Sequence, residues 1–192
     1  MYPKRNDALV VVSLYLGDYK TKFYLRQISQ LTKLPLKTCQ NVLSNLEDMK
    51  VLNSYMEGKN KYFALNLNNI QTKSYLLQAE IHRTDTFLGN YPLIKPFLKE
   101  IDTNIPLIVF GSFAKSKTDS NSDLDLLVLS DKDSKLPFHL LPYKVHQISL
   151  SEISFLKALS SQETLIKEIE EHHIVLNNHS FYVNFMWGIY GK

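Results

Sequence analysis

The chain has 192 residues, of which 44% are hydrophobic and 11% aromatic, enough for one ordinary domain or two small ones with buried cores. Net charge is +3, but it divides unevenly: residues 1–75 carry 11 Lys+Arg against 5 Asp+Glu, and residues 76–192 carry 11 against 14, which points to a polyanion partner for the first part alone. No apolar run approaches the ~20 residues that span a bilayer, the start shows no cleavable leader, and the single Cys39 excludes an internal disulfide and a Cys-rich zinc site, so a soluble cytoplasmic protein is expected.

Residues 6 to 17 place apolar side chains at Leu9, Val10, Val12, Leu14 and Leu16, which predicts a first helix ended by Gly17-Asp18. Leu25, Ile28 and Leu31 predict a second helix over 25–32 with one buried stripe. Leu34-Pro35-Leu36 turns the chain, because Pro disfavours helix at the residue before it. From Lys37 to Lys50 the apolar set Val42, Leu43, Leu46 and Met49 again has helical spacing, with Lys37, Thr38, Gln40, Asn41, Ser44 and Asn45 on the other faces. Two β-prone runs, 51–56 and 61–67, flank Glu57-Gly-Lys-Asn60, a hairpin signal.

Three helices followed by a hairpin resemble a winged helix-turn-helix domain, and Asn45 to Leu52 looks like the stretch joining its recognition helix to the wing. The resemblance implies that Lys37, Thr38, Gln40 and Asn41 meet base edges or phosphates in the major groove, while Lys59, Asn60 and Lys61 reach a phosphate or the minor groove. Such domains also dock proteins or dimerise; the basic balance favours DNA.

A connecting helix is expected from Ile70 to about Arg83, with Tyr75, Leu76, Ala79 and Ile81 as its apolar positions, and another over residues 91–101. No glycine-rich linker separates the parts, so the boundaries are set at 1–69, 70–104 and 105–192 with a helical junction.

Pro106 opens an apolar run, Leu-Ile-Val-Phe110, that suits a buried strand and ends at Gly111-Ser112, where the lack of a Cβ lets backbone approach a ligand closely. Residues 112–117 predict a short helix or turn whose first N–H groups form an anion cradle, with the Ser112 hydroxyl and the charge of Lys115 or Lys117 beside it. After the polar loop 119–122 the chain resumes as Asp123-Leu-Asp-Leu-Leu-Val-Leu129. Alternation puts Asp123 and Asp125 on one face, roughly 7 Å apart. Paired acids on an apolar strand are costly to bury without a cation between them, and Mg²⁺ (or Mn²⁺) bridging triphosphate oxygens is the usual occupant.

The ordered set Gly111, Ser112, Ala114, Lys115, Ser122, Asp123, Asp125 and Leu126 resembles the DNA polymerase β nucleotidyltransferase superfamily, especially its minimal branch, with Ser116 standing where many members carry Gly. The resemblance implies an NTP substrate, ATP foremost, held by Gly111, Ser112, Lys115 and Ser122, with metal on Asp123 and Asp125. It also implies a third acid on a neighbouring strand. The next expected strand, residues 143–150, has none: His146 stands near that place and Glu152 lies just beyond.

Helices are expected over 151–159, capped by Ser151, and over 161–171, opened by Ser161, followed by a short strand at 174–177 and an apolar tail, Phe181 to Tyr190, read as core or dimer surface. The fold class is therefore α+β: an N-terminal winged helix, three helices plus a β-hairpin, followed by a small mixed-sheet nucleotidyltransferase domain with flanking helices. The leading function is Mg-dependent transfer of a nucleoside monophosphate from an NTP to a hydroxyl of a protein, RNA or small-molecule acceptor. A protein acceptor is suggested by minimal members that modify toxin partners. The alternative is a DNA-binding transcriptional regulator whose degenerate transferase domain senses nucleotide.

Overall fold

The structure, a computed structural model, describes residues 6–102, 104–119, 121–130, 135–161 and 163–191. It is a mixed α and β chain with two small sheets, and it divides into two compact units, residues 1–82 with 183–192 and residues 83–182. The two breaks fall inside helices, at 82/83 within Ile70–Asn90 and at 182/183 within His179–Tyr190, the first of them between the boundaries at 69 and 104 expected from sequence.

In the first unit, α1 (Asp7–Val12) continues as a 3₁₀ turn over Ser13–Tyr15; then come β1 (Lys22–Tyr24), α2 (Leu25–Thr32), α3 (Leu36–Asp48), β2 (Leu52–Glu57), β3 (Asn60–Leu65) and α4 (Ile70–Asn90). The strands form an antiparallel sheet in the order β1-β3-β2. Strand β1 was not foreseen, since three residues are too short for an alternation to register. The hairpin turns where expected, with Gly58 at a φ of 59°. Two expected core positions are corrected: Leu31 and Met49 are 54% and 39% exposed, and α3 instead buries Cys39, Leu43 and Leu46. The α2–α3 turn redirects the chain, so Thr32 and Leu34 take the inner positions instead of Leu31. Carbonyls at the end of α3, which have no partner within the helix, accept from side chains further along: Asn69 donates to Lys50 (2.8 Å) and Met49 (3.2 Å), and Asn66 donates to Lys50 (2.9 Å).

The second unit holds α5 (Lys95–Lys99), β4 (Leu107–Phe110), α6 (Gly111–Ala114), β5 (Leu124–Leu129), β6 (Val145–Leu150), α7 (Glu152–Ser160), α8 (Thr164–Glu171) and β7 (Ile174–Asn177), and α9 (His179–Tyr190) begins within it. The sheet order is β6-β5-β4-β7, mixed as expected: β4 is antiparallel to β5 and β7, while β5 and β6 run parallel. One face carries Leu107, Val109, Leu124, Leu126 and Val128 into a core with Phe87, Ile94, Phe97, Phe113 and Leu176. The predicted helix over 91–101 is instead a 3₁₀ turn at Pro92–Ile94 followed by α5. Ser151 caps α7 as expected, accepting from the Ser154 N–H at 3.0 Å, but Ser161 closes α7 by donating to Lys157 rather than opening α8. Among the described residues no helix is long and apolar enough to cross a membrane.

Candidate functional site

Strand β4 is buried at all four positions, and β5 at every position except Asp125. The sheet therefore lifts one carboxylate out of an otherwise closed core at the point where β4 ends in the Gly111-Ser112 turn. Register places Phe110 opposite Asp125, so the residue after Phe110 arrives directly at the carboxylate. Gly111 has a φ of 66°, and a Cβ built on it would lie 2.2 Å from Asp125 Oδ2 and 3.1 Å from its carboxyl carbon. Only glycine satisfies both the backbone angle and the lack of space.

The turn is fixed from below. Phe113 on α6 is 2% exposed and its ring lies 5.1 Å from Tyr91 and 5.0 Å from Tyr143. This anchor was missed in the sequence, where Phe113 reads as a filler between motif positions; its one signal was an aromatic residue inside an otherwise polar turn. Backbone bonds close the turn from Lys115 to Gly111 (3.1 Å), Ser116 to Phe113 (3.1 Å) and Lys117 to Ser112 (2.9 Å). Ser116 has a φ of 53°, which explains physically why Gly suits that position of the motif.

Asp123 precedes β5 and lies on the same side of the sheet as Asp125, as alternation requires. Each carboxylate has a partner on β6. Lys144 donates to Asp123 Oδ2 at 2.8 Å, and His146 Nδ1 lies 3.0 Å from Asp125 Oδ1. The pairing follows from the parallel register, which sets Asp125 beside His146. The hydrogen bond and charge of Asp123 raise the Lys144 pKa above the ordinary lysine value. Asp123 and Asp125 keep 36% and 26% of their side chains exposed, so both are reachable from solvent.

Of the two residues considered for the third-acid place, the structure brings His146 to Asp125. Glu152 lies past the far end of β6, which runs four residues beyond His146 and so rises about 13 Å before α7 begins. Among the described residues no group of three or more His, Cys, Asp or Glu is arranged to hold a metal ion.

Lys115 is tied to Glu168 of α8 at 2.5 Å, a partner that the motif did not reveal. Ser122 donates to Asp119 Oδ1 at 3.1 Å and accepts from the Asp119 N–H at 2.9 Å. The Asn121 N–H and the Ser122 hydroxyl together hold the Asp119 carboxyl below its usual range. Ser122 thus organises the loop that delivers Asp123.

In the first unit, Lys37, Gln40 and Asn41 are exposed on α3 and Thr38 is half-buried. Lys59 and Asn60 are exposed at the hairpin turn. Lys61 is not free for a ligand without exchange: it pairs with Glu47 at 2.9 Å, and this pair together with the Ser54 hydroxyl holds Glu47 below the usual carboxylate range.

Residues 92–177 match the family model described as a nucleotidyltransferase domain, a span that runs from the 3₁₀ turn before α5 to the end of β7 and includes Gly111, Ser112, Asp123, Asp125 and His146. No curated protein and no solved structure matches the chain. The family match supports transfer of a nucleoside monophosphate in general.

Proposed function

We propose that the unit around β4 and β5 is a metal-dependent nucleotidyltransferase that takes an NTP, ATP foremost, and passes its nucleoside monophosphate to a hydroxyl of a protein, RNA or small-molecule acceptor. The observation that carries this reading is the close approach of Gly111 to Asp125 at the only opening in β5. A turn with no room for a side chain, set against a partly exposed carboxylate, is a place for a phosphate chain and its cation.

The donor set fits Mg²⁺ or Mn²⁺. Such ions are held by one or two carboxylates, the remaining positions being filled by water and substrate phosphates. Asp123 and Asp125 would supply those carboxylates. When bound, the cation would withdraw charge from the triphosphate and favour departure of pyrophosphate. Gly111 would admit the phosphates to the backbone of the turn, the Ser112 hydroxyl would donate to them, and Ser122 would hold the loop in place. Lys115 would exchange Glu168 for developing negative charge, an exchange that costs little because both partners are partly exposed. The acceptor oxygen bonds to the α-phosphorus, the bond from that phosphorus to the oxygen bridging it to the β-phosphate breaks, pyrophosphate leaves with the electron pair, and the hydroxyl proton passes to the His146 imidazole, whose Nδ1 lies 3.0 Å from Asp125 Oδ1.

A second reading has its own observation. Lys144 and His146 already accompany both carboxylates, and among the described residues no third acid joins them to form a metal-holding group. This favours a nucleotide-sensing domain in a DNA-binding regulator. Either way α1, α2 and α3 with the three-stranded sheet are read as a winged helix, with Lys37, Thr38, Gln40 and Asn41 facing a major groove and Lys59 and Lys61 reaching phosphates.

Incubation with α-labelled ATP, CTP, GTP or UTP and Mg²⁺ or Mn²⁺, with and without cell extract, separates the readings. Label on an acceptor, lost in Asp123→Ala and Asp125→Ala, supports the transferase. Thermal stabilisation by nucleotide without transfer supports the sensor, and nucleotide binding untouched by either substitution removes the site assignment.

A further inference from the structure

We infer that the outer face of the β1-β3-β2 sheet binds single-stranded polynucleotide, the bases stacking on a row of three tyrosines and the phosphates lying in the basic groove beside it. The inference does not depend on the transferase reading or on recognition of duplex DNA by α3.

Register puts Tyr24 opposite Tyr62 and Tyr62 opposite Tyr55, so the three rings form one cross-strand row over the full width of the sheet. Because side chains alternate, the neighbouring row, Phe23 and Phe63, points the other way: Phe63 is 6% exposed, and Tyr15 meets Phe23 edge-on at 5.2 Å. The inner face is thus committed to the core and the tyrosine face is not. Tyr55 and Tyr62 are nearly parallel, at 22° with centroids 6.4 Å apart, while Tyr24 meets Tyr62 at 76° and 5.7 Å. Tyr55 remains 43% exposed. Lys22 sits 5.5 Å and 5.1 Å from the Tyr55 and Tyr62 ring centres, and its ammonium pairs with Glu57 at the surface.

Tyr24 also lines a groove of about 550 Å³ with Leu25, Arg26, Lys59, Asn60 and Lys61. Arg26 and Lys59 therefore supply the cations beside the aromatic row, since Lys61 turns its ammonium to the other face, 5.3 Å from the Phe63 ring. Lys61 is paired with Glu47, whereas Arg26 and Lys59 form no ion pair among the described residues. Aromatic rings in register beside a cationic groove match the two requirements of an unpaired strand: π-faces for bases that are not stacked within a duplex, and positive charge that follows the backbone. A duplex hides its base faces and would use only the groove. An acidic peptide would likewise need the cations and not the rings. Lys22 is held over the rings by an exposed pair that exchanges readily, so an entering strand can draw it from Glu57 to a phosphate.

Fluorescence anisotropy of the full chain with labelled oligo-dT and oligo-U of about ten nucleotides, a length within the usual site size of such platforms, tests the assignment. The expected result is binding of one or both strands that weakens roughly tenfold in Tyr55→Ala and stays within about twofold in Tyr55→Phe, since phenylalanine keeps the π-face. Preference between the two oligomers assigns DNA or RNA. Glu57→Gln is expected to tighten binding by removing a competing anion. Tyr55 is partly exposed, and equal melting temperatures for the variants exclude a folding defect. Absence of single-strand binding by the intact chain, or equal binding by Tyr55→Ala and the intact chain, would overturn the inference. Duplex binding that is lost with Arg26→Ala but indifferent to Tyr55→Ala, with no single-strand binding, would assign the groove to duplex phosphates instead.

Discussion

Gly111 and Asp125 occupy space that only one of them can fill: a methyl group on the glycine would stand 2.2 Å from the carboxylate oxygen. Gly111 follows directly on β4, whose last residue Phe110 lies opposite Asp125 of the antiparallel β5, and the carboxylate fits there because the turn beside it has no side chain.

Gly111→Ala is accordingly expected to damage the site from a residue that has no functional group. The left-handed backbone angle alone costs an alanine about 1–2 kcal/mol, and the contact with Asp125 adds to it. Thermal unfolding should show a loss of about 2 kcal/mol or more, and nucleotide-dependent stabilisation should fall to the level of Asp125→Ala. Full stabilisation by nucleotide in Gly111→Ala would show that the turn does not face the phosphates.

Ser116→Gly should have the opposite sign. Serine at a φ of 53° bears a left-handed penalty that glycine lacks, offset by glycine's larger loss of chain entropy, so a gain of up to about 1 kcal/mol is expected in chemical denaturation. A loss of stability would mean that the serine hydroxyl contributes more than its backbone costs.

These two positions show what a sequence can disclose about such a site. Gly111, Ser112, Asp123 and Asp125 were legible because chemistry demands particular side chains at fixed spacing, and apolar runs on both sides identified β4 and β5. Most helices followed from periodicity, whereas the mixed sheet was expected from the family resemblance. What stayed hidden depended on pairing between distant segments. Nothing local indicates that parallel register would bring His146 to Asp125 and carry Glu152 to the other end of the strand, or that Lys115 would meet Glu168. Strand β1 escaped for a related reason: it is defined by its partner β3, and the tyrosine row exists only once that pairing is made.

Tyr15 predicts a limb in the alkaline stability curve. Its hydroxyl donates to the Phe63 carbonyl at 3.0 Å in the core, and burial, with a smaller effect of Tyr55, pushes its pKa well above the usual 10.0. With the folded value raised, the contribution is complete below pH 10.0 and declines above it, as the unfolded chain ionises and the folded one does not. Tyr15→Phe should cost about 1 kcal/mol at neutral pH by removing this buried hydrogen bond. The difference from the intact chain should shrink above pH 10.0, as measured by denaturation at a series of pH values. A constant difference across that range would contradict the buried, neutral phenol.

If the first unit holds duplex phosphates, its affinity for DNA should fall steeply with salt. Replacing Lys59 and Lys61 by alanine should reduce the log–log salt slope by about 2, roughly one per phosphate contact. A slope unchanged in the double variant would release these lysines from phosphate contact and favour protein docking.

The most direct test compares transfer of label from α-labelled and γ-labelled ATP to acceptor in the presence of Mg²⁺ or Mn²⁺, using the intact chain, Asp125→Ala and Asp123→Ala. Nucleotidyl transfer predicts α-label on the acceptor, pyrophosphate in solution, no γ-label on the acceptor, and loss of the signal in both variants. Transfer of γ-label, or α-label transfer that survives both substitutions, would contradict the account.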